Sequence, residues 1–176
     1  MTPTRLWKQM TAEQRRGATS ALWAAEDATN EQMQAALLIA KQMKFRPKTV
    51  GSLDADRKAR YLASVPDLPE DLVARMLVLY HLAAQRPMMG AFLDALGIAH
   101  ENGLILEDAV RPDPAKIASA AAAIARAFPA PDVSLYLNTL LWQDPTSWGL
   151  LEGVPEVTAP SDVQGTRAGT TKKGNA

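Results

Sequence analysis

The sequence predicts an all-α fold, and three observations carry that expectation. Alanine, leucine and methionine dominate most segments, and no alternating run of Val, Ile, Thr and aromatic residues lasts a strand's length. Thr11-Ala-Glu-Gln14 and Thr29-Asn-Glu-Gln32 both have the Thr-x-x-Gln form of a capping box, in which the hydroxyl accepts from the third amide and the Gln reaches back. Prolines recur where a first-turn proline belongs, with acidic residues beside them at the positive end of the helix dipole. The architecture expected is an irregular helical bundle or a short array of two to three helical hairpins. Residues 1–152 would form one helical domain, and residues 153–176, rich in Pro, Gly, Thr and Ser, a disordered and mildly basic tail.

Each element follows from local chemistry. The first box opens a helix near Ala12 that runs to about Glu26 and carries Leu22 and Trp23. The second opens one near Asn30 that runs to about Lys44, with Met33, Ala36, Leu37, Ala40 and Met43 as its apolar positions. Pro69, Glu70 and Asp71 begin a helix to about Gln85 that is apolar on most faces, which marks it as the central one. A further helix starts near Pro87 and stops at Gly97, because glycine takes the left-handed cap conformation without penalty. The stretch from Ala99 to Pro114 reads as a connector, with Leu104–Leu106 as a short extended piece. Asp113-Pro114 caps an alanine-rich helix to about Ala127. Asp144-Pro145 makes a turn with a helix start after it.

A shift of about 40 residues brings "FRPKTVGSLDA" onto "QRPMMGAFLDA". Arg46 then meets Arg86, Pro47 meets Pro87, Leu53 meets Leu93 and, further back, Leu37 meets Leu77. Phe128-Pro129 followed by Leu135 keeps the same step a third time. The proline ends one helix, because the residue before it is pushed out of the helical region, and can begin the next. Two origins fit: a genuine helical-hairpin repeat, or convergent corner chemistry within a bundle. If Pro47 and Pro87 each open a second helix, Leu53 and Leu93 should be equivalent buried residues facing the preceding one.

Bulk composition excludes several kinds of chemistry. With 19 basic and 19 acidic residues the chain has no net field to steer it to nucleic acid or membrane. With no cysteine it has no disulfide, thiolate metal site or thiol nucleophile. The most apolar stretch, Leu72 to Ala84, contains Arg75 and His81 and is short of the roughly 20 residues a membrane span needs. The polar N-terminus lacks the apolar core of a signal peptide, so the expected location is the cytoplasm. No phosphate-binding glycine loop, no nucleophile elbow and no metal-ligand spacing occurs around the two histidines, His81 and His100. Neither a cofactor nor a metal is expected, and an enzyme is the lesser expectation; one working through His81 or His100 would need a pocket beside it. His81, on the most apolar helix, reads as a hydrogen-bonded core residue.

Two stretches are candidates for partner binding. Lys41, Lys44, Arg46, Lys48, Arg57, Lys58 and Arg60 face only Asp54 and Asp56 within their segment. They form a solvated basic face, a site for an acidic protein, or a nucleic-acid or phosphate site if all seven converge. Only Phe45 and Tyr61 are at hand to stack on bases. Trp142 and Trp148, near the C-terminus, either close the core or anchor a partner, since tryptophan is enriched at interface hot spots. The function expected is a non-enzymatic helical protein–protein interaction module: an adaptor, scaffold or accessory subunit.

Overall fold

The computed structural model describes residues 1–106 and 110–158, and it is all-α apart from one small hairpin. The helices are α1 (Pro3–Gln9), α2 (Ala12–Ala24), α3 (Thr29–Met43), α4 (Pro47–Gly51), α5 (Ala55–Ala63), α6 (Glu70–Ala84) and α7 (Arg86–Leu96). Strands β1 (His100–Glu101) and β2 (Leu104–Ile105) follow, then α8 (Pro114–Ala127), α9 (Ala130–Gln143), α10 (Pro145–Trp148), a 3-10 turn at Gly149–Gly153, and α11 (Pro155–Thr158).

Capping places most of these boundaries. The Thr11 hydroxyl accepts from the Gln14 amide at 3.1 Å while Gln14 Oε1 accepts from the Thr11 amide at 2.9 Å, a complete capping box. Asp54, Asp113 and Asp144 each accept a backbone N–H in the first turn of α5, α8 and α10. Gly97, at φ 74°, ends α7 in the left-handed conformation. The second expected box does not form. Thr29 is already helical, and Gln32 instead donates from Nε2 to the Leu22 and Ala25 carbonyls at 2.9 and 2.8 Å. Those oxygens belong to the end of α2, which has used up its own helical donors, so the amide is better employed there.

Two apolar cores are stacked along the chain. The first gathers Leu6, Trp7, Leu22, Ile39, Leu62, Leu72, Met76 and Leu77, and takes in Leu135 from α9. The second gathers Met88, Phe92, Leu93, Ile117, Ile124, Leu137, Trp148 and Leu151. As its all-round apolar character predicts, α6 is central: Leu72, Val73, Met76, Leu77 and Tyr80 serve the first core, and Leu82 packs against the second. Met88 and Met89 are buried as core filling. A chain of side-chain hydrogen bonds also crosses between the halves. Gln14 Nε2 and the Tyr80 hydroxyl both donate to Asp132 Oδ1, and Gln85 donates to Tyr80. Burial pushes the Tyr80 phenol up to about 12, so it keeps the proton it donates.

The helix–proline–helix corner is real at all three places, but its copies are not equivalent. Pro47 opens α4, which stops after five residues, whereas Pro87 lies in the first turn of the eleven-residue α7. Asp54 caps a new helix, while its counterpart Asp94 sits inside α7. Leu77 is fully buried and Leu37 is 57% exposed. Leu93 is buried and Leu53 only half-buried, so of the two only Leu93 carries the full weight of about 2–5 kcal/mol that a buried leucine has over alanine. The shared feature is corner chemistry rather than a repeated unit.

Other expectations need correction. Met33 and Leu37 lie on the solvent side of α3, and Ala35, Ile39 and Ala40 on its buried side. Helices α1 and α5 were not foreseen, although Thr2-Pro3 and Asp54 are start signals for both. The packed chain also runs beyond the boundary expected at residue 153. Val154 and Val157 are buried in the second core, and Asn138 Nδ2 donates to the Val157 carbonyl at 3.1 Å. The expected disordered tail, from residue 159 onward, lies outside the described residues. No described helix is long and apolar enough to cross a membrane.

Candidate functional site

The seven cations expected to share a face divide into two groups. Arg57 pairs with Asp54 at 3.5 Å, and Arg60 pairs with Asp56, which also receives Arg16 from α2. The Arg60 guanidinium, followed by that of Arg16, holds the Asp56 carboxyl below the usual carboxylate range. Lys58 lies over the Trp23 ring, 5.4 Å from its centroid. Arg57 and Arg60 are therefore paired on their own helix, while Lys58 on Trp23, and Asp56 through Arg16, tie α5 to α2. Lys41, Lys44, Arg46 and Lys48 are different: all four are exposed, and none has an ion-pair partner among the described residues.

Helical geometry explains where the free group points. Asn30, Met33, Leu37, Lys41 and Lys44 follow steps of three and four residues, which keep them on one stripe of α3. All five are exposed, Met33 by 60% and Leu37 by 57%. The opposite stripe, with Ala35 and Ile39, is spent on the first core. The helix ends at Lys44 in the left-handed conformation, φ 55°, and Arg46 and Lys48 continue the positive charge into α4. The result is an exposed band whose first half is apolar and whose second half is cationic. The two rings that might have stacked on bases beside it, Phe45 and Tyr61, pack edge to face on each other with centroids 5.6 Å apart.

The tryptophans separate as well. Trp148 is 4% exposed, beside Phe92 in the second core, a placement that matches closing the core rather than anchoring a partner. Trp142, near the end of α9, is half-buried.

Beside His81 lies a cavity of about 260 Å³. Val78, His81 and Leu82 line it from α6, and Met89 and Leu93 from α7. Tyr136, Thr139, Leu140 and Gln143 contribute from α9, and Gly103, Leu104 and Ile105 from the hairpin. The hairpin wall is fixed by its turn. Asn102 and Gly103 have φ of 49° and 83°, both positive as a two-residue type I′ turn requires. A Cβ on Gly103 would stand 2.9 Å from Met89 Cβ and 3.1 Å from the Arg86 carbonyl oxygen, so the turn lies directly on α7. His100 holds the turn: Nδ1 accepts from the Gly103 amide and Nε2 donates to Asp94 Oδ1, both at 3.1 Å. Arg86 adds a bond from Nη1 to the Asn102 carbonyl. The Asn-Gly pair is the sequence signal for this hairpin, and the short extended piece expected at Leu104–Leu106 is in part its second strand.

The hydrogen bonds around His81 settle its tautomer. The Thr139 hydroxyl donates to the Leu135 carbonyl at 2.8 Å, so its oxygen can only accept from His81 Nε2, 3.1 Å away. The ring proton is then on Nε2, and Nδ1 keeps a lone pair with no hydrogen-bond partner among the described residues. Burial lowers the imidazole to about 4, so it is neutral at pH 7. His81 thus matches the expected hydrogen-bonded core histidine, and although a pocket does adjoin it, its donor direction is the reverse of what activating Thr139 as a nucleophile would need.

Among the described residues no group of three or more His, Cys, Asp or Glu side chains could hold a metal ion. In comparison with known proteins the chain matches no family model, no curated protein and no solved structure.

Proposed function

We propose that the chain is a non-enzymatic helical interaction module, an adaptor or accessory subunit, which docks an acidic amphipathic segment of another protein along α3. The observation that carries this reading is the continuity of Met33 and Leu37 with Lys41 and Lys44 on one exposed stripe. Large apolar side chains one turn apart, more than half exposed on a helix whose other side is packed, are the anchors that helix-in-groove recognition uses. The unpaired cations next to them select the sign of the partner and speed its approach. A nucleic acid is a poorer fit, because the apolar half of the stripe would meet phosphates, three of the seven cations are engaged, and both nearby rings are packed on one another.

The test is affinity capture on the full chain, compared with Met33→Asp/Leu37→Asp and with Lys41→Glu/Lys44→Glu. All four positions are exposed, so the variants should fold like the parent. The expected result is an acidic protein held by the parent chain at about 0.15 M salt, released near 1 M, and lost by both variants. An identical set of retained proteins for the three chains would overturn the proposal, as would turnover of a substrate by the isolated chain.

A further inference from the structure

The cavity beside His81 shares no residue with the α3 stripe, and its chemistry selects a different kind of occupant. Its size comes first. An engineered cavity of about 150 Å³ holds benzene, and drug-sized pockets begin near 300 Å³. About 260 Å³ therefore accommodates one or two fused rings, or a short chain of similar bulk. Charge comes second. Among the described residues no Asp, Glu, Lys or Arg lines the cavity, and its one titratable base, His81, is neutral at pH 7. An ion entering it would give up part of its hydration and meet no counter-charge among the described residues.

Polar recognition comes third. His81 Nε2 and the Thr139 hydroxyl are committed to each other and to Leu135. The Tyr136 side chain is only 3% exposed, yet its hydroxyl has no hydrogen-bond partner among the described residues. Its ring is held edge-on by His81 and Phe92, with centroids 5.5 and 5.8 Å away, so the hydroxyl is a fixed rather than a swinging group. Burial raises the phenol above its ordinary value, so it keeps its proton and can donate. We infer that the space lined by α6, α7, α9 and the hairpin is a binding site for a small neutral, largely apolar molecule, with one hydroxyl or carbonyl group received by Tyr136.

The full chain titrated with naphthol, naphthalene and naphthoate, by calorimetry or by NMR shifts, tests this. Naphthol and naphthalene should saturate one site per chain, and naphthoate should bind at least about tenfold more weakly. Tyr136→Phe should weaken naphthol by about tenfold, the worth of one buried hydrogen bond, and leave naphthalene unchanged. Leu140→Trp, at a half-buried lining position, should abolish both, with circular dichroism to confirm that it folds; Val78→Phe serves if it does not. The inference is overturned if neither neutral probe saturates, if naphthoate binds as well as naphthol, or if the filled variants still bind. Equal weakening of naphthol and naphthalene by Tyr136→Phe would overturn the role given to the hydroxyl.

Discussion

His81 must shed its proton to fold, and that makes it a pH-dependent element of stability. In the unfolded chain it titrates near the ordinary 6.5, and in the folded chain at about 4. Between those values the unfolded state binds more protons, so stability is complete above about 6.5 and declines as pH falls toward 4. The full span is worth roughly 3 kcal/mol. Urea unfolding at neutral pH and near pH 4.5 should show the decline in the parent and a much flatter response in His81→Phe. Equal slopes in the two proteins would show that other groups are responsible. The sequence revealed that His81 is buried, because its helix is apolar on most faces. It could not reveal the tautomer, which depends on Thr139, a residue 58 positions away in the chain. Tyr136 is a similar case: its missing partner is a fact of three-dimensional packing that no local pattern carries.

At the scale of elements, starts and stops were far more legible than faces. Thr11, Asp113, Asp144 and Gly97 act within a few residues of themselves, so their sequence neighbourhood is sufficient to place them. Which side of α3 is buried is another matter. Its apolar residues cover too much of the circumference for periodicity to choose, and contacts with α4, α5 and α6 choose instead. The hairpin is the opposite case, since Asn102-Gly103 states its geometry outright. Gly103→Ala should therefore be costly, both through φ 83° and through the 2.9 Å approach to Met89. A loss of about 1–3 kcal/mol is expected in thermal or urea unfolding, with faster hydrogen exchange at the hairpin amides. An unchanged midpoint and unchanged exchange would mean that the hairpin does not need its turn.

For the whole molecule, composition was a good guide to class and a poor one to distribution. The all-α character follows from residue types summed over the chain. A net charge of zero, by contrast, conceals four unpaired cations between Lys41 and Lys48. The similarity at a shift of about 40 residues likewise recorded a local rule, that proline ends one helix and starts another, and not a global symmetry. The two cores are joined instead by unlike means: the two-sided helix α6, Leu135 reaching into the first core, and the bonds from Gln14 and Tyr80 to Asp132.

The burial of Val154 and Val157 bears on how far the chain can be shortened. A form ending at residue 158 retains both valines and the bond from Asn138 to the Val157 carbonyl. A form ending at residue 152 exposes the pocket that they fill between α8 and α9 and removes one of the acceptors of Asn138 Nδ2. The shorter form should be less stable by on the order of 3 kcal/mol in urea unfolding, the worth of two buried valines, and should expose apolar surface that promotes self-association. A fusion partner or affinity tag joined after residue 152 would impose the same loss, so the safe junction is beyond α11.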